Sequence, residues 1–413
     1  MPSEAEEIWR YSGIDDFDLG AFSPPAPGRD LTPGELAQAR SLADHMGTRC
    51  ALVVTRNGVV VGIEPEPGLD SATVTVAGAG PLGSGADDGE AFALAPPGGD
   101  GDALSVVHDA FLSDVVLVSV GRAVELAGPV VIVHLVDAEP VTSGSVSVFP
   151  HTVVRVGPGA SAGVVELFAG YGPRLEAAAL VVPVSQLEVA DGARLAYGNV
   201  QILGGGTTQV GLQRSIVGRD AEFRSLTVSL GGRYARVRTD SELAGEGGRS
   251  SLLAAYLGTA AQVHDFRTLQ DHSAGRTESE LLFTGAVADR ARSVYSGLIR
   301  IHKGARRADA RQTNHNLVLS EGAHADSVPN LDIDENDVRC SHASTVGPID
   351  EEQRYYLESR GVEPVVAERL IVLGFFSDLA ARSPFPAMVP WVEESVAERL
   401  AGRLPAEAGA GHG

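Results

Sequence analysis

The chain has 413 residues, which is enough for roughly two or three domains with full hydrophobic cores. Aspartate and glutamate number 54 against 32 lysines and arginines, so the formal net charge is −22. This charge argues against nucleic acid or an anionic membrane as a partner, because both bind basic protein surfaces. Hydrophobic residues make up 44% of the chain, too many for an intrinsically disordered protein.

The cysteine content and the N-terminus indicate a cytoplasmic protein. Cys50 and Cys340 are the only cysteines in the sequence, too few for a disulfide framework or for a four-thiolate metal site within one subunit. The opening residues, MPSEAEEIWR, are acidic and lack the apolar core of a secretory signal. The apolar runs 115–120 and 130–136 are much shorter than a membrane span, so we expect no membrane partner.

Residues 1–104 are predicted to form a mixed N-terminal region. Thr32, followed by a proline, is typical of a helix start, and that helix is expected to run to about His45. Asn57-Gly58 lies between two β-rich runs and predicts a hairpin turn. The segment 64–102 is rich in glycine, proline and aspartate, which is typical of a long loop at a domain boundary.

Short β-type runs follow one another from residue 105 to residue 346, with almost no helical periodicity. Turns rich in small residues separate them, such as 157–160, 191–193 and 218–221, and their glycines and aspartates suit corners with positive φ. A β-sandwich or jelly roll and a parallel β-solenoid both fit this pattern. Because hairpin dipeptides are scarce after Asn57-Gly58, we favour the solenoid.

The pattern becomes helical after residue 346, and we predict a C-terminal helical domain over 347–404 with a disordered tail over 405–413. Asp350 is a predicted N-cap, and Pro364 opens a second helix. Apolar residues repeat along that helix at helical spacing and exceed what three short helices need to cover themselves. We therefore expect this stripe to dock another protein: Val366, Leu370, Leu373 and Phe376.

Few sequence motifs indicate chemistry. The glycines at 204–206 lack the lysine and the helix of a phosphate loop. His264 and His272, with aspartates nearby, have the composition of a metal site, although such residues more often satisfy polar groups at solenoid corners. Cys340 and His342 stand two apart on a predicted strand, so their side chains share a face. They could address one metal or cluster together with a partner, or serve as a buried small residue and a strand cap.

The segment 327–350, which contains Cys-Ser-His at 340–342, and the Tyr-Leu-Glu-Ser-Arg-Gly run at 356–361 resemble the SufB/SufD family of iron–sulfur assembly scaffolds. Trp9-Arg10-Tyr11 and the runs 149–154 and 310–320 add to the similarity. The resemblance implies a right-handed parallel β-helix core with flanking N-terminal and C-terminal helical regions.

Within that family the chain is more similar to SufD than to SufB. SufB-type chains carry a cysteine in the strand that here reads 312–316, where this chain has His315. They also have Glu-His-Glu where this chain reads Cys340-Ser341-His342-Ala343. The resemblance to SufD implies a scaffold subunit of a SUF complex with no catalytic activity of its own, in which the SufC partner hydrolyses ATP.

The resemblance also implies partners and site residues. SufB is expected to bind the late coils, around Asn314, His315 and Asn316, and SufC the C-terminal helices. A transient iron–sulfur cluster shared with SufB is expected near His342 and Cys340, and flavin binding stays open. The alternatives are a secreted-type β-helix enzyme acting on polysaccharides and a scaffold of SufB type that associates with itself.

Overall fold

The computed structural model describes residues 9–14, 18–24, 31–67, 69–70, 73–78, 103–138, 145–172 and 177–402. These residues form five α-helices and 22 β-strands, so the predicted mainly-β fold is confirmed. The predicted disordered tail at 405–413, and most of the predicted loop at 64–102, lie outside the described residues.

The strands form two sheets and are numbered along the chain. In the described residues the first sheet has 12 strands: β1 Phe22–Ser23, β4 Val74–Gly78, β5 Val116–Val120, β7 Ser145–Val148, β8 His151–Val156, β10 Ala179–Val181, β11 Val184–Val189, β13 Thr207–Val217, β15 Tyr234–Leu243, β17 Val263–His272, β19 Arg292–Ile301 and β21 His324–Ile333. The second has 10: β2 Ala51–Arg56, β3 Val59–Pro65, β6 Val130–Asp137, β9 Ser161–Tyr171, β12 Arg194–Ile202, β14 Glu222–Ser229, β16 Arg249–Gly258, β18 Glu278–Val287, β20 Asp309–Val318 and β22 Arg339–Pro348.

The sheets are the two walls of a parallel β-solenoid of about seven turns. From β11 onward the strands alternate between the sheets, and each pairs in parallel with the strand one turn later. Tyr234, for example, pairs with Val263, and Val263 pairs with Arg292. The solenoid is therefore confirmed over the sandwich, which would need antiparallel hairpins throughout. Among the described strands the antiparallel pairs are β2–β3 and β4–β5.

The predicted hairpin turn at Asn57-Gly58 is confirmed, since it joins β2 to β3. Asn57 has a φ of 48° and Gly58 a φ of 83°. Both values lie in the left-handed region, which asparagine and glycine tolerate better than other residues. This hairpin places β3 at the end of the second sheet.

The second sheet is apolar on both faces. Inward residues such as Val164 and Tyr197 pack in the core between the sheets. Outward neighbours such as Val165 and Leu253 pack in another core, formed with the helices. A sheet buried on both sides reads as a continuous apolar run, which explains the run at 130–136.

The helices are α1 Pro33–Asp44, α2 Ala103–Phe111, α3 Glu351–Ser359, α4 Pro364–Arg382 and α5 Val389–Ala401. The predicted caps are present, because the Thr32 hydroxyl accepts from the Glu35 N–H and Asp350 accepts from two N–H groups of α3. None of the described helices combines the length and the apolar character needed to cross a membrane.

Helices α4 and α5 pack directly on the outer face of the second sheet. Phe376 of α4 and Leu400 of α5 are buried there with residues of β16 and β18. Polar contacts fix the end of α4, since Arg382 pairs with Glu280 at 2.7 Å and its carbonyl oxygen accepts from Arg224. The C-terminal helices therefore complete the core of the solenoid wall.

Phe376→Ala is expected to lower the free energy of unfolding by about 3–5 kcal/mol, because it leaves a cavity between α4 and the sheet. Leu370 lies on the same helix with 47% of its surface exposed, so it provides a matched control. Leu370→Ala is expected to change the same quantity by less than about 0.5 kcal/mol. Urea unfolding followed by circular dichroism measures both variants, and equal losses would contradict the packing of α4 on the sheet.

Candidate functional site

The solenoid ends at β21 and β22, which together form its end rung. In the described part of the chain, β21 pairs on one side only, with β19, and β22 pairs on one side only, with β20. The other edge of each strand carries backbone N–H and C=O groups with no strand partner in that part of the chain. Such an edge is a template for pairing with another chain.

Apolar side chains that point into the solenoid are exposed at this end rung. Leu331 and Ile333 continue the inward rows of Ile299 and Ile301, which are fully buried one turn earlier. Leu331, Ile333 and, on β22, Val346 are 39%, 40% and 45% exposed. No further rung covers them in the described part of the chain, where α3 begins directly after β22.

Cys340 and His342 lie on the inward rows of β22. Cys340 pairs with the buried Ala310, and His342 pairs with the buried Gln312. His342 is exposed because the rung is the last one, while Cys340 is half-buried against the small apolar cluster around Ile299. The structure therefore brings the thiol and the imidazole together on one face, at the open end of the solenoid.

The electrostatic environment keeps the Cys340 thiol protonated. Burial raises its pKa, and the carboxylate of Asp309 raises it further. A thiol in such a setting binds metal only when the metal displaces its proton. His342, which is exposed, is the more accessible ligand of the two.

Two of the residues predicted to contact SufB face the interior. Asn314 and Asn316 on β20 are buried, and the Asn316 amide donates to the Asn314 side-chain oxygen at 2.7 Å. The Tyr256 hydroxyl donates to Asn316 and accepts from Asn314. Their side chains thus lie one layer beneath the end rung. His315 points to the opposite face, where its ring lies 6.4 Å from that of Phe375.

The predicted docking stripe on α4 divides between two environments. Phe376 is buried against the second sheet and Leu373 is partly buried there. Val366 is half-buried and Leu370 is exposed. The burial of Phe376 differs from the exposed stripe that the sequence predicts, because the outer face of the sheet is itself apolar and takes up that side of the helix.

A groove of about 990 Å³ lies beside the exposed part of α4. Helices α3 and α4 form its walls, and strands β20 and β22 reach it through Leu317 and Pro348. Its apolar lining includes Tyr356, Leu357, Leu370 and Phe375. Tyr355 and Tyr356 on α3 are both mostly exposed.

A separate cleft of about 680 Å³ is lined by turns of earlier rungs. Gly204 and Gly205 line it together with Arg233 and Arg399. Strand β13 follows these glycines, so they do not open a helix as a phosphate loop does. None of the residues predicted for the site lies among the described residues of this cleft.

Comparison with known proteins shows similarity to iron–sulfur cluster assembly proteins. Residues 140–375 match the family model "SUF system FeS cluster assembly, SufBD core domain". An iron–sulfur cluster assembly SufBD family protein of Mycobacterium leprae is 30% identical over 378 residues, 90% of this chain and 89% of that protein. The iron–sulfur cluster assembly protein SufD of Escherichia coli is 33% identical over 187 residues, 45% and 44% of the two chains. SufD of Bacillus subtilis is 29% identical over 282 residues, 68% and 63%.

The chain belongs to the SufBD family. The matched residues extend into α4 and include the whole end rung with Cys340 and His342. The predicted similarity to SufD is supported by the two relatives that carry that name. A role in iron–sulfur cluster assembly follows from membership of the SufBD family.

The sequence pattern did not predict that the apolar residues of the end rung are exposed. Leu331, Ile333 and Val346 look like ordinary core positions of short β-runs. The available signal is their place in the chain, since they lie in the last two β-runs before a helical segment. No later rung could cover them there.

His264 and His272 do not form a metal site in this SufBD chain. Both are buried inside the solenoid, where one ring nitrogen of His264 and both ring nitrogens of His272 contact hydroxyl groups. His264 lies 2.9 Å from the Ser229 hydroxyl, and His272 lies 2.7 Å and 2.8 Å from those of Thr277 and Ser279. The described residues contain no group of three or more histidine, cysteine, aspartate or glutamate side chains placed to hold a metal ion.

Burial of His272 makes the stability of the fold depend on pH in the acidic range. It lowers the pKa of His272 to about 4 from the ordinary 6.5, although Asp309 opposes this shift. Below pH 6.5 the His272 imidazole is protonated in the unfolded chain, whereas in the folded chain it stays neutral until the pH falls to about 4. The stability contributed by the neutral imidazole is therefore complete above pH 6.5 and is lost as the pH falls through this window.

His272→Gln is expected to flatten the pH dependence of the free energy of unfolding by up to about 1.4 kcal/mol per pH unit in this window. Urea midpoints measured at about pH 7.5 and pH 5.0 test this. His324 is exposed on β21, so His324→Gln is the comparison variant for a histidine that is not buried. An unchanged slope in His272→Gln would contradict the buried neutral imidazole.

Proposed function

We propose that this SufBD-family chain is a cytoplasmic, SufD-like scaffold subunit that pairs with a SufB-like subunit and docks the SufC ATPase. A nascent iron–sulfur cluster is built where the two scaffold subunits meet. The observation that carries the proposal is the open end rung, which combines unpaired strand edges, exposed apolar residues and the pair Cys340 and His342.

The end rung is suited to a partner that is itself a solenoid. A second end rung can hydrogen-bond to the free edges of β21 and β22 and extend both sheets. It would also cover Leu331, Ile333 and Val346, whose exposure is unfavourable in an isolated chain. A SufB-like subunit is the partner that the family suggests, and pairing of two copies of this chain is the alternative outcome.

The chemistry of the end rung fits an iron–sulfur cargo. Iron accepts imidazole and thiolate ligands, and a mixed set of both occurs in iron–sulfur proteins. This chain offers the exposed His342 and the half-buried Cys340, while the remaining ligands come from the partner. The role is that of a ligand donor in a scaffold, with ATP hydrolysis carried out by SufC.

The groove between α3 and α4 is the proposed SufC site. It is wide and lined mainly by apolar side chains with two carboxylates among them, and the exposed side chains of Tyr356 and Leu370 border it. Because α4 also packs on the second sheet through Phe376, a protein bound in this groove is mechanically connected to the solenoid and its end rung. ATP-driven movement of the docked protein could reach the cluster site by this route.

His342→Ala is expected to slow cluster formation by the assembled complex by about tenfold or more, because an iron ligand is removed at the shared site. The complex itself should stay intact, since one exposed imidazole contributes little to an interface that also pairs two strand edges and covers apolar side chains. Anaerobic reconstitution followed by visible absorbance measures the rate, and size-exclusion chromatography measures the assembly.

The matched control for this experiment is His324→Ala, which removes an exposed histidine from the outer face of the same end rung. It is expected to leave the rate of cluster formation unchanged. A normal rate in His342→Ala would remove His342 from the site.

Partner binding can be tested with two reciprocal substitutions. Ile333→Asp places a charge on the apolar end rung and is expected to abolish pairing with SufB while SufC still binds. Leu370→Asp changes the groove and is expected to weaken SufC binding by at least tenfold while SufB still pairs. Co-purification of all three subunits measures both effects.

Both substitutions lie at exposed positions, so the fold of the isolated chain should survive. Deletion of the C-terminal helices is a poorer test, because it would strip Phe376 and Leu400 from the second sheet. If each variant lost both partners, or if each variant kept both, the assignment of two separate surfaces would be contradicted. A control, Val106→Asp on the exposed face of α2, should retain both partners.

A further inference from the structure

A polar layer lies inside the solenoid, directly beneath the end rung. Asn314, Asn316, Tyr256 and Ser293 bond to one another there. On the same level, the Tyr295 hydroxyl lies 3.1 Å from the Thr268 hydroxyl. Buried polar groups of this kind are almost always hydrogen-bonded, because an unpaired one is costly.

Gln312 is the exception in this layer. It is 1% exposed, yet neither its side-chain oxygen nor its nitrogen has a partner in hydrogen-bond geometry among the described residues. The Tyr295 hydroxyl interacts with the Gln312 amide, although the pair falls short of full hydrogen-bond geometry. One turn below, Gln312 stacks on Leu281, which offers no polar group.

Gly297 maintains the space that the Gln312 amide occupies. A Cβ at this position would lie 2.1 Å from the amide nitrogen of Gln312 and 2.3 Å from the Tyr295 hydroxyl. Both distances are far too short for any side chain, so only glycine leaves the amide in place. The Gln312 amide therefore fits in the interior only because position 297 on the first sheet has no side chain.

The neighbour of Gln312 one turn above is His342. In parallel strands such residues stand about 4.8 Å apart, with their side chains on the same face. An imidazole that uses one ring nitrogen as a metal ligand needs the other N–H held by an acceptor, and an amide oxygen supplies it. The only polar neighbour that Gln312 has along its own row is thus a candidate cluster ligand.

We propose that Gln312 is a positioning residue, whose amide oxygen accepts the N–H of His342 and leaves the other ring nitrogen free for iron. The inference rests on the proposed function of His342 and adds the residue that sets its orientation and tautomer. Gly297 leaves room for the Gln312 amide one turn below the end rung.

The first experiment measures the tautomer of His342 in the isolated full-length chain. Nitrogen-15 NMR of histidine-labelled protein at about pH 8 reports which ring nitrogen carries the proton. Gln312→Leu removes the acceptor at similar volume and is expected to give a mixture of tautomers for His342, whereas Gln312→Glu keeps an oxygen acceptor and retains one tautomer. The matched control is Gln270→Leu, which removes another buried glutamine that is not stacked on His342.

The second experiment measures cluster formation by the complete complex. Gln312→Leu is expected to slow it about tenfold in the parent background and to have no further effect when combined with His342→Ala. Gln312→Glu should restore most of the rate, and Gln270→Leu should leave it unchanged. Additive losses in the double variant would overturn the inference.

The two experiments separate this inference from the proposed function. If His342→Ala leaves cluster formation unchanged, the proposed role of His342 fails, and the NMR result still decides whether Gln312 holds its ring. If the His342 tautomer is the same in Gln312→Leu as in the parent chain, the positioning role fails while the proposed function stands.

Discussion

Parallel pairing between successive rungs is the interaction on which the rest of this structure depends. Each rung satisfies the edge of the rung before it and exposes its own. The two ends of the described solenoid differ in how their strand edges are paired. At the N-terminal end β3 and β4 fold back as antiparallel strands. At the other end no such hairpin follows β21 and β22 in the described residues, so strand edges and core side chains are exposed there.

The apolar outer face of the second sheet is the second constraint. It must be covered, and α4 and α5 cover it with side chains such as Phe376 and Leu400. The same α4 presents Leu370 to the groove on its other side. One helix therefore takes part in the core and in the proposed docking surface, and it connects that surface to the wall that ends in β22.

The interior beneath the end rung is polar where most of the solenoid core is apolar. Tyr256 fits there because Gly285 has no side chain, since a Cβ would lie 1.8 Å from the tyrosine ring. A bonded polar network is rigid, and it specifies one arrangement of its members. Asn314 and Asn316 of this network lie beneath Ser344 and Val346 of β22, whereas Gln312, which lies beneath His342, is not bonded to the network.

The sequence by itself determined the β-rich core, the hairpin at Asn57-Gly58, the cap at Thr32 and the likeness of the segment 327–350 to SufB/SufD proteins. These depend on local geometry or on a long, specific run of residues. Only the tertiary structure decided that Asn314 and Asn316 face the interior and that Phe376 is buried. Alternation along a strand tells which residues share a face but not which face is inside, and here both faces of the second sheet are apolar. Ile333 is exposed because it lies on the last rung. Which rung is the last depends on how all the strands stack, and no single segment shows it.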